Sequence, residues 1–149
     1  MNDRSTPTAD QPKLQLKATD SEDIETLSAL LQDALIGGSD MAYDKIEGCF
    51  VFLANRYCWE LEEASYRCLC GVNIRNVRRV QYRNMALTDD PASINQFYNL
   101  LALSYEKAEQ TLRLIFSDGA ELACHLDEVN IIIRDVSAPH PGLRTPDHT

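Results

Sequence analysis

The chain has 149 residues, of which 44% are hydrophobic and 25% are charged, and its net charge is -9. This composition is typical of a single globular domain and excludes an intrinsically disordered chain. No apolar run approaches the roughly 18 residues of a membrane helix, and residues 1–12 lack the hydrophobic core of a signal peptide. The excess of acids disfavours long nucleic acid and anionic membranes as partners.

Five cysteines without a secretion signal indicate a reducing compartment, so we expect a cytoplasmic protein with free thiols. Cys68 and Cys70 would share one face of a strand, roughly 7 Å apart, which is neither a CxxC redox motif nor suitable for a disulfide. A metal site that adds Cys124 or His125 is the alternative to buried thiols. Structural zinc sites usually show two closely spaced ligand pairs, so we expect no metal and no cofactor.

The N-terminal part contains the one helix that the sequence predicts. Residues 1–12 carry two prolines and no periodic pattern, which indicates a disordered tail, and residues 14–18 alternate like a short strand. Residues 19–23 offer several N-cap side chains and acids that complement the helix dipole. Gly37 and Gly38 end the predicted helix. Its apolar face comprises Ile24, Leu27, Leu30, Leu31, Ala34 and Leu35.

Short strands separated by turns follow the predicted helix. Residues 49–57 are apolar on both faces, which indicates a central or strongly curved strand. Trp59 lies just beyond this segment, where its large ring suits one end of the core. Further strands are predicted at residues 41–43, 66–74, 77–83, 97–105 and 129–136, before a loose tail at 137–149.

Residues 111–126 predict a hairpin whose register follows from the length of its loop. A two-residue loop would mix apolar and polar residues on each face, whereas a three-residue loop, 117–119, puts every apolar residue on one face. Gly119 would then take the left-handed position of a type I turn followed by a bulge. The predicted pairs are Phe116 with Ala120, Leu114 with Leu122, and Leu112 with Cys124.

The charge distribution has one anomaly. Five arginines lie between Arg67 and Arg83, and no acid lies between Ala64 and Thr88, so this segment carries +5 within a chain of -9. One interpretation is an exposed strand whose arginines pair with the abundant acids or blunt a sheet edge. The other is a surface that binds an acidic protein segment or a small anion, because Arg prefers carboxylate and phosphate partners. The residues assigned to that surface are Arg75, Arg78, Arg79 and Arg83.

Two further hypotheses concern a ligand-binding domain and an enzyme. A small barrel can enclose a ligand, and Tyr57, Trp59 and Tyr82 could line the cavity of such a binding or sensor domain. No nucleophile elbow, phosphate-binding glycine loop, dinucleotide fingerprint, HExxH motif or calcium loop occurs, so we assign no catalytic residue. A pocket that brings His125 together with a cysteine or a carboxylate would favour an enzyme.

Several segments resemble successive blocks of a known family. They are residues 14–20, 31–34, 41–43, 52–60, 76–80, 100–103 and 112–116, the last followed by the Asp118-Gly119 turn. Their order and spacing resemble a family of small bacterial proteins known as domain of unknown function 2948, over about residues 13–136. One departure is Arg83-Asn84, where the family commonly has arginine and glycine. The resemblance implies a bacterial cytosolic protein and no activity, cofactor or catalytic residue.

These observations predict a single α+β domain, mainly β, over residues 13–136. It would combine one N-terminal amphipathic helix with an antiparallel, barrel-like or strongly bent sheet of about eight strands. The first functional hypothesis is a non-enzymatic interaction or adaptor module that contacts an acidic partner through the arginine-rich strand. We expect no long nucleic acid and no membrane as partners, and a homodimer is the default oligomeric state.

Overall fold

The computed structural model describes residues 14–58, 66–85, 96–137 and 140–141. These residues contain one α-helix, α1 (Ser21–Leu30), and eleven strands, which confirms the α+β, mainly β class but exceeds the predicted eight strands. No helix in the described ranges is long and apolar enough to cross a membrane. The strands are β1 (Gln15–Ala18), β2 (Ala34–Gly37), β3 (Met41–Asp44), β4 (Cys49–Tyr57), β5 (Tyr66–Ile74), β6 (Val77–Arg83), β7 (Phe97–Glu106), β8 (Thr111–Phe116), β9 (Glu121–Leu126), β10 (Ile131–Asp135) and β11 (His140–Pro141).

All eleven strands belong to one antiparallel sheet. The order is β1-β10-β5-β4-β2-β7-β8-β9-β6, with β3 paired to β4 and β11 paired to β5. The sheet is therefore open, with β1 and β6 at the ends of this order. The short strand β11 lies within the segment predicted as a C-terminal tail, and residues 1–13 and 142–149 lie outside the described residues.

The sheet forks at β4, and this fork positions the candidate site. β4 is nine residues long, so β3 pairs with its first half (Met41 with Phe52) and β2 pairs with its second half (Leu35 with Asn55). The branch that begins at β2 continues through β7, β8 and β9 to β6. It curls far enough that β6 comes back to face β3 across a cleft.

One face of the curled sheet encloses the core. On β4, Phe50, Phe52 and Ala54 are buried, whereas Val51 and Leu53 on the other face are 37% and 39% exposed. The helix adds Ile24 and Leu27 to the same cluster, and its C-cap residue adds Leu31. The helix packs against β7 and β1. The central position predicted for residues 49–57 is confirmed, since β4 lies between β5 and β2 in the strand order, although its outer face is not fully covered.

The predicted helix is too long at its C-terminal end. Its start is correct, since Asp20 is the N-cap and accepts a hydrogen bond from the Asp23 backbone N–H at 2.8 Å. The helix ends at Leu30, and Asp33 then takes a left-handed φ of 66°. Ala34 and Leu35 lie in β2, because pairing with β4 and β7 overrides their helical spacing.

The register of the β8–β9 hairpin is confirmed, but its turn type is not. Phe116 N–H donates to the Ala120 carbonyl at 2.9 Å, and the two further predicted pairs are present. Gly119 has the predicted left-handed backbone, with φ 79°. Asp118 is also left-handed (φ 63°, ψ 27°), which a type I turn does not contain, and aspartate tolerates this conformation.

Asn84, where the resembled family commonly has glycine, has a left-handed backbone. Its φ is 55°, a backbone conformation that glycine adopts freely and that asparagine tolerates better than most other residues. Its side-chain Nδ2 donates to the Gly119 carbonyl at 2.9 Å. This hydrogen bond joins the end of β6 to the β8–β9 turn.

Candidate functional site at the seam between β3 and β6

The two edge strands β3 and β6 meet at a seam that is pinned at one end. Val77 N–H donates to the Gly48 carbonyl at 2.8 Å, and the Tyr43 hydroxyl donates to the Val77 carbonyl at 3.3 Å. Gly48 has φ 68°, and a Cβ at this position would lie 3.3 Å from the Val77 carbonyl oxygen. Beyond Val77, no backbone hydrogen bond joins β3 to β6 within the described ranges. The seam therefore opens there.

The open part of the seam is a cleft of about 690 Å³. Its first wall is β3, which contributes Met41, Ala42 and Tyr43, together with Lys45 from the turn that follows. Met41 and Tyr43 are partly buried and pack against the core, whereas Lys45 is exposed. This wall thus combines apolar surface with one cation.

The second wall is β6, and a bulge there changes which side chains share a face. The ladder to β9 is irregular between Val77 and Arg79, so Arg78 is the extra residue. Regular alternation would place Arg79 on the face of Val77, but the bulge reverses this. Val77, Val80 and Tyr82 oppose the buried residues Leu126, Cys124 and Leu122, whereas Arg79 opposes His125 on the other face.

Two of the four predicted arginines line the cleft. They are Arg78 and Arg79. Arg83 lines a smaller neighbouring pocket of about 220 Å³, and Arg75 lies in the turn between β5 and β6. The structure therefore brings half of the predicted set together, and Lys45, which the sequence did not assign to this surface, joins it from the turn after β3.

The cleft cations are only partly neutralised. Arg78 Nη1 donates to Asp127 Oδ1 at 2.8 Å and to the Leu126 carbonyl at 3.0 Å, but the two charged side chains are 44% and 71% exposed. In the described part of the chain, no carboxylate lies within ion-pair distance of Lys45 or Arg79. The described residues that line the cleft thus include three cations and no acid.

His125 lies beside the cleft on the outer face of β9. Its Nε2 is 2.8 Å from Gln81 Oε1 and 3.4 Å from Arg79 Nη2, and its Nδ1 is 3.1 Å from Thr111 Oγ1. Burial lowers the pKa of His125 below 6.5, and the positive charges of nearby arginines, first Arg79, lower this pKa further. This histidine is therefore more weakly basic than a solvated one.

The predicted aromatic trio does not form one described site. Tyr82 is 43% exposed and lines the cleft. Tyr57 is 6% exposed, and the Arg67 guanidinium lies 4.1 Å from the centre of its ring. Trp59 lies outside the described residues. A cavity between these three side chains stays a prediction.

The cysteines are free thiols, and four of the five are buried. Cys68 and Cys70 are both buried on β5, as the alternation predicts, and Cys68 Sγ lies 3.3 Å from Cys58 Sγ. Among the described residues, no three His, Cys, Asp or Glu side chains are grouped so that they could hold a metal ion.

Sequence reasoning missed a buried ion pair between Arg56 and Asp135. The arginine is fully buried on β4, and its partner lies on β10. A sequence separation of 79 residues leaves no local signal for this contact. The one clue was a charged residue within the largely apolar segment 49–57.

A family model described as "Protein of unknown function (DUF2948)" matches residues 14–148 of the chain. No curated protein and no solved structure matches this chain.

Proposed function

The chain belongs to this family of proteins of unknown function, and we propose that it is a non-enzymatic interaction module that binds an acidic partner in the β3–β6 cleft. The observation that carries the proposal is the convergence of Lys45, Arg78 and Arg79 on one cleft. Guanidinium groups bind carboxylates through paired hydrogen bonds, so an acidic segment matches this set of donors.

The cleft is a local exception in a protein with a net charge of -9. An acidic partner is repelled at long range, but this repulsion is screened beyond about 8 Å at physiological ionic strength. Contacts inside the cleft act over shorter distances, where Arg79 and Lys45 have no described carboxylate partner. We therefore expect recognition that depends on direct contacts more than on long-range attraction.

We assign this activity to the bacterial cytoplasm. The family resemblance supports a bacterial source, and five free thiols support a reducing compartment.

A binding measurement with a defined acidic probe tests the proposal. A fluorescein-labelled oligoglutamate peptide is titrated with the protein, and fluorescence anisotropy is followed at physiological salt. The variant Arg78→Glu/Arg79→Glu is expected to lose binding by about tenfold or more, since each charge-assisted hydrogen bond contributes about 1.5–3 kcal/mol.

The matched control is Arg75→Glu/Arg134→Glu, which makes the same charge change at two exposed arginines that do not line the cleft. We expect it to keep most of the wild-type affinity. Equal losses in both double variants would show that only net charge matters and would refute the cleft as the site.

Binding of a small anionic ligand in the same cleft is the second candidate. The cleft volume of about 690 Å³ lies within the range of small-molecule sites, about 300–1,000 Å³. Tyr82 adds an aromatic side chain with a hydroxyl group to the cleft lining. Burial raises the pKa of Tyr82, so this hydroxyl stays protonated and can donate to an anion at neutral pH. Citrate and inorganic phosphate are the first probes, with thermal stabilisation lost in the Arg78→Glu/Arg79→Glu variant as the expected result.

A further inference from the structure

The open seam presents strand edges in addition to charge. β6 is at one end of the strand order and pairs only with β9 in the described part of the chain, and β3 pairs only with β4. An edge strand leaves backbone N–H and C=O groups without ladder partners. An extended peptide can pair with these groups as an additional strand.

The side chains along β6 match the two faces of such a strand. Val80 and Tyr82 lie on the core-facing side of the ladder but are incompletely covered, since Val80 is half-buried and Tyr82 is 43% exposed. Arg79 lies on the opposite face and is exposed. Successive side chains of an added strand point to opposite faces, so one set would cover Val80 while the other set would meet Arg79.

We infer that the partner binds by strand addition: an extended segment of another protein, with acidic and apolar residues in alternation, pairs its backbone with β6 in the open seam. This inference rests on the proposed function, because the cleft arginines supply its charge complementarity. The apolar residues of the segment would lie over Val80 and Met41, and its acids would lie near Arg79.

The arginines and the bulge also determine which strands are rejected. Charges and bulges on an edge strand oppose pairing with another copy of the same edge, since like charges would then face each other. An acidic segment is attracted by the same arginines, because its charges are opposite to theirs. The pattern on β6 therefore both blocks self-pairing and selects the charge of the partner.

The test changes the backbone of the peptide and leaves the protein intact. The probe is a labelled peptide of alternating Glu and Val, and its control is a peptide of the same composition with the Glu and Val residues in two blocks. Two further versions carry N-methyl groups on one or the other alternate set of amides. N-methylation removes hydrogen-bond donors without changing charge.

We expect the alternating peptide to bind more tightly than the block peptide. Methylation of the set that faces β6 should weaken binding by about tenfold or more, and methylation of the other set should weaken it less. In the same complex, NMR should show slower amide exchange within residues 78–83 of the protein. Equal affinity of all four peptides would overturn strand addition.

The outcomes separate this inference from the proposed function. If oligoglutamate binds through Arg78 and Arg79 but backbone methylation has no effect, strand addition is wrong and the acidic-partner site stands. If no acidic peptide binds to the wild-type protein, both are wrong.

Discussion

Arg56 and Asp135 form a buried, bidentate ion pair that joins two strands separated by β5. Arg56 Nε donates to Asp135 Oδ1 at 3.1 Å and Nη2 donates to Oδ2 at 2.8 Å, with the side chains 0% and 3% exposed. Arg56 Nη1 also donates to the Tyr57 carbonyl, and Asp135 Oδ2 accepts from the Leu14 N–H. The pair thus fastens β4, β10 and the residue before β1 together.

Replacing Arg56 should destabilise the protein strongly. Arg56→Met leaves the Asp135 carboxylate buried without its partner, and we expect a loss of about 3–5 kcal/mol in the free energy of unfolding. Urea denaturation measures this change. The control is Arg134→Met, next to Asp135 in sequence but exposed, for which we expect a change within about 0.5 kcal/mol. Similar unfolding midpoints for the two variants would contradict the prediction.

Gly119→Val should destabilise the β8–β9 hairpin. Gly119 has φ 79°, and an added Cβ would meet only Asn84 Nδ2 at an ordinary 3.5 Å, so the cost comes from the backbone. We expect a loss of at least about 1–2 kcal/mol, with a smaller loss for Gly119→Asn because asparagine tolerates this conformation. Thermal unfolding of both variants checks the order, and an unchanged melting temperature for Gly119→Val would refute it.

The hairpin and the seam show where sequence reasoning succeeds and where it stops. Loop length and period-two alternation are local, so they predict the pairing of Leu114 with Leu122 correctly. The predicted helix extends too far because Ala34 keeps helical spacing, whereas its actual strand partner, Leu100, is distant in sequence. The cleft depends on the fork at β4, and no local pattern reveals that two branches of a sheet will come to face each other.

Gly48→Ala should loosen the pinned end of the seam. The residue has φ 68°, and its new Cβ would lie 3.3 Å from the Val77 carbonyl oxygen, so both backbone strain and crowding act against it. We expect lower stability and faster amide exchange at Val77. Gly71→Ala is the control, since its Cβ would meet only side-chain carbons at 3.9 Å and 4.0 Å. If Val77 exchanges equally slowly in both variants, Gly48 does not hold the seam.

Native-state alkylation should be confined largely to Cys49. Burial raises the pKa of Cys70 to about 12 and that of Cys124 to about 12, so few of these thiols are ionised at neutral pH. The pKa of Cys68 is raised as well, by its contact with Cys58 and by burial. Peptide mapping after iodoacetamide treatment checks this order, with all five cysteines modified in denaturant as the control. Modification of Cys124 as fast as Cys49 would contradict the prediction.

Stability should decrease as the pH falls below about 6.5, in part because of His125. Its pKa in the folded protein is lowered from 6.5 by burial, then by Arg79, Arg78 and Arg113, whereas Glu109 opposes the shift. Between the two pKa values the unfolded chain binds more protons than the folded one, so acidification favours unfolding until the folded pKa is passed.

His125→Gln removes this titration and should flatten the dependence of the urea midpoint on pH over that window. The other two histidines are present in both proteins, so a difference between the two pH profiles reports His125 alone. Parallel pH profiles would show that His125 does not contribute.

An acidic peptide bound near Arg79 should raise the pKa of His125, because the peptide offsets the arginine charge that lowers this pKa. An NMR titration of His125 with and without the peptide therefore reports occupation of the cleft without altering a cleft residue.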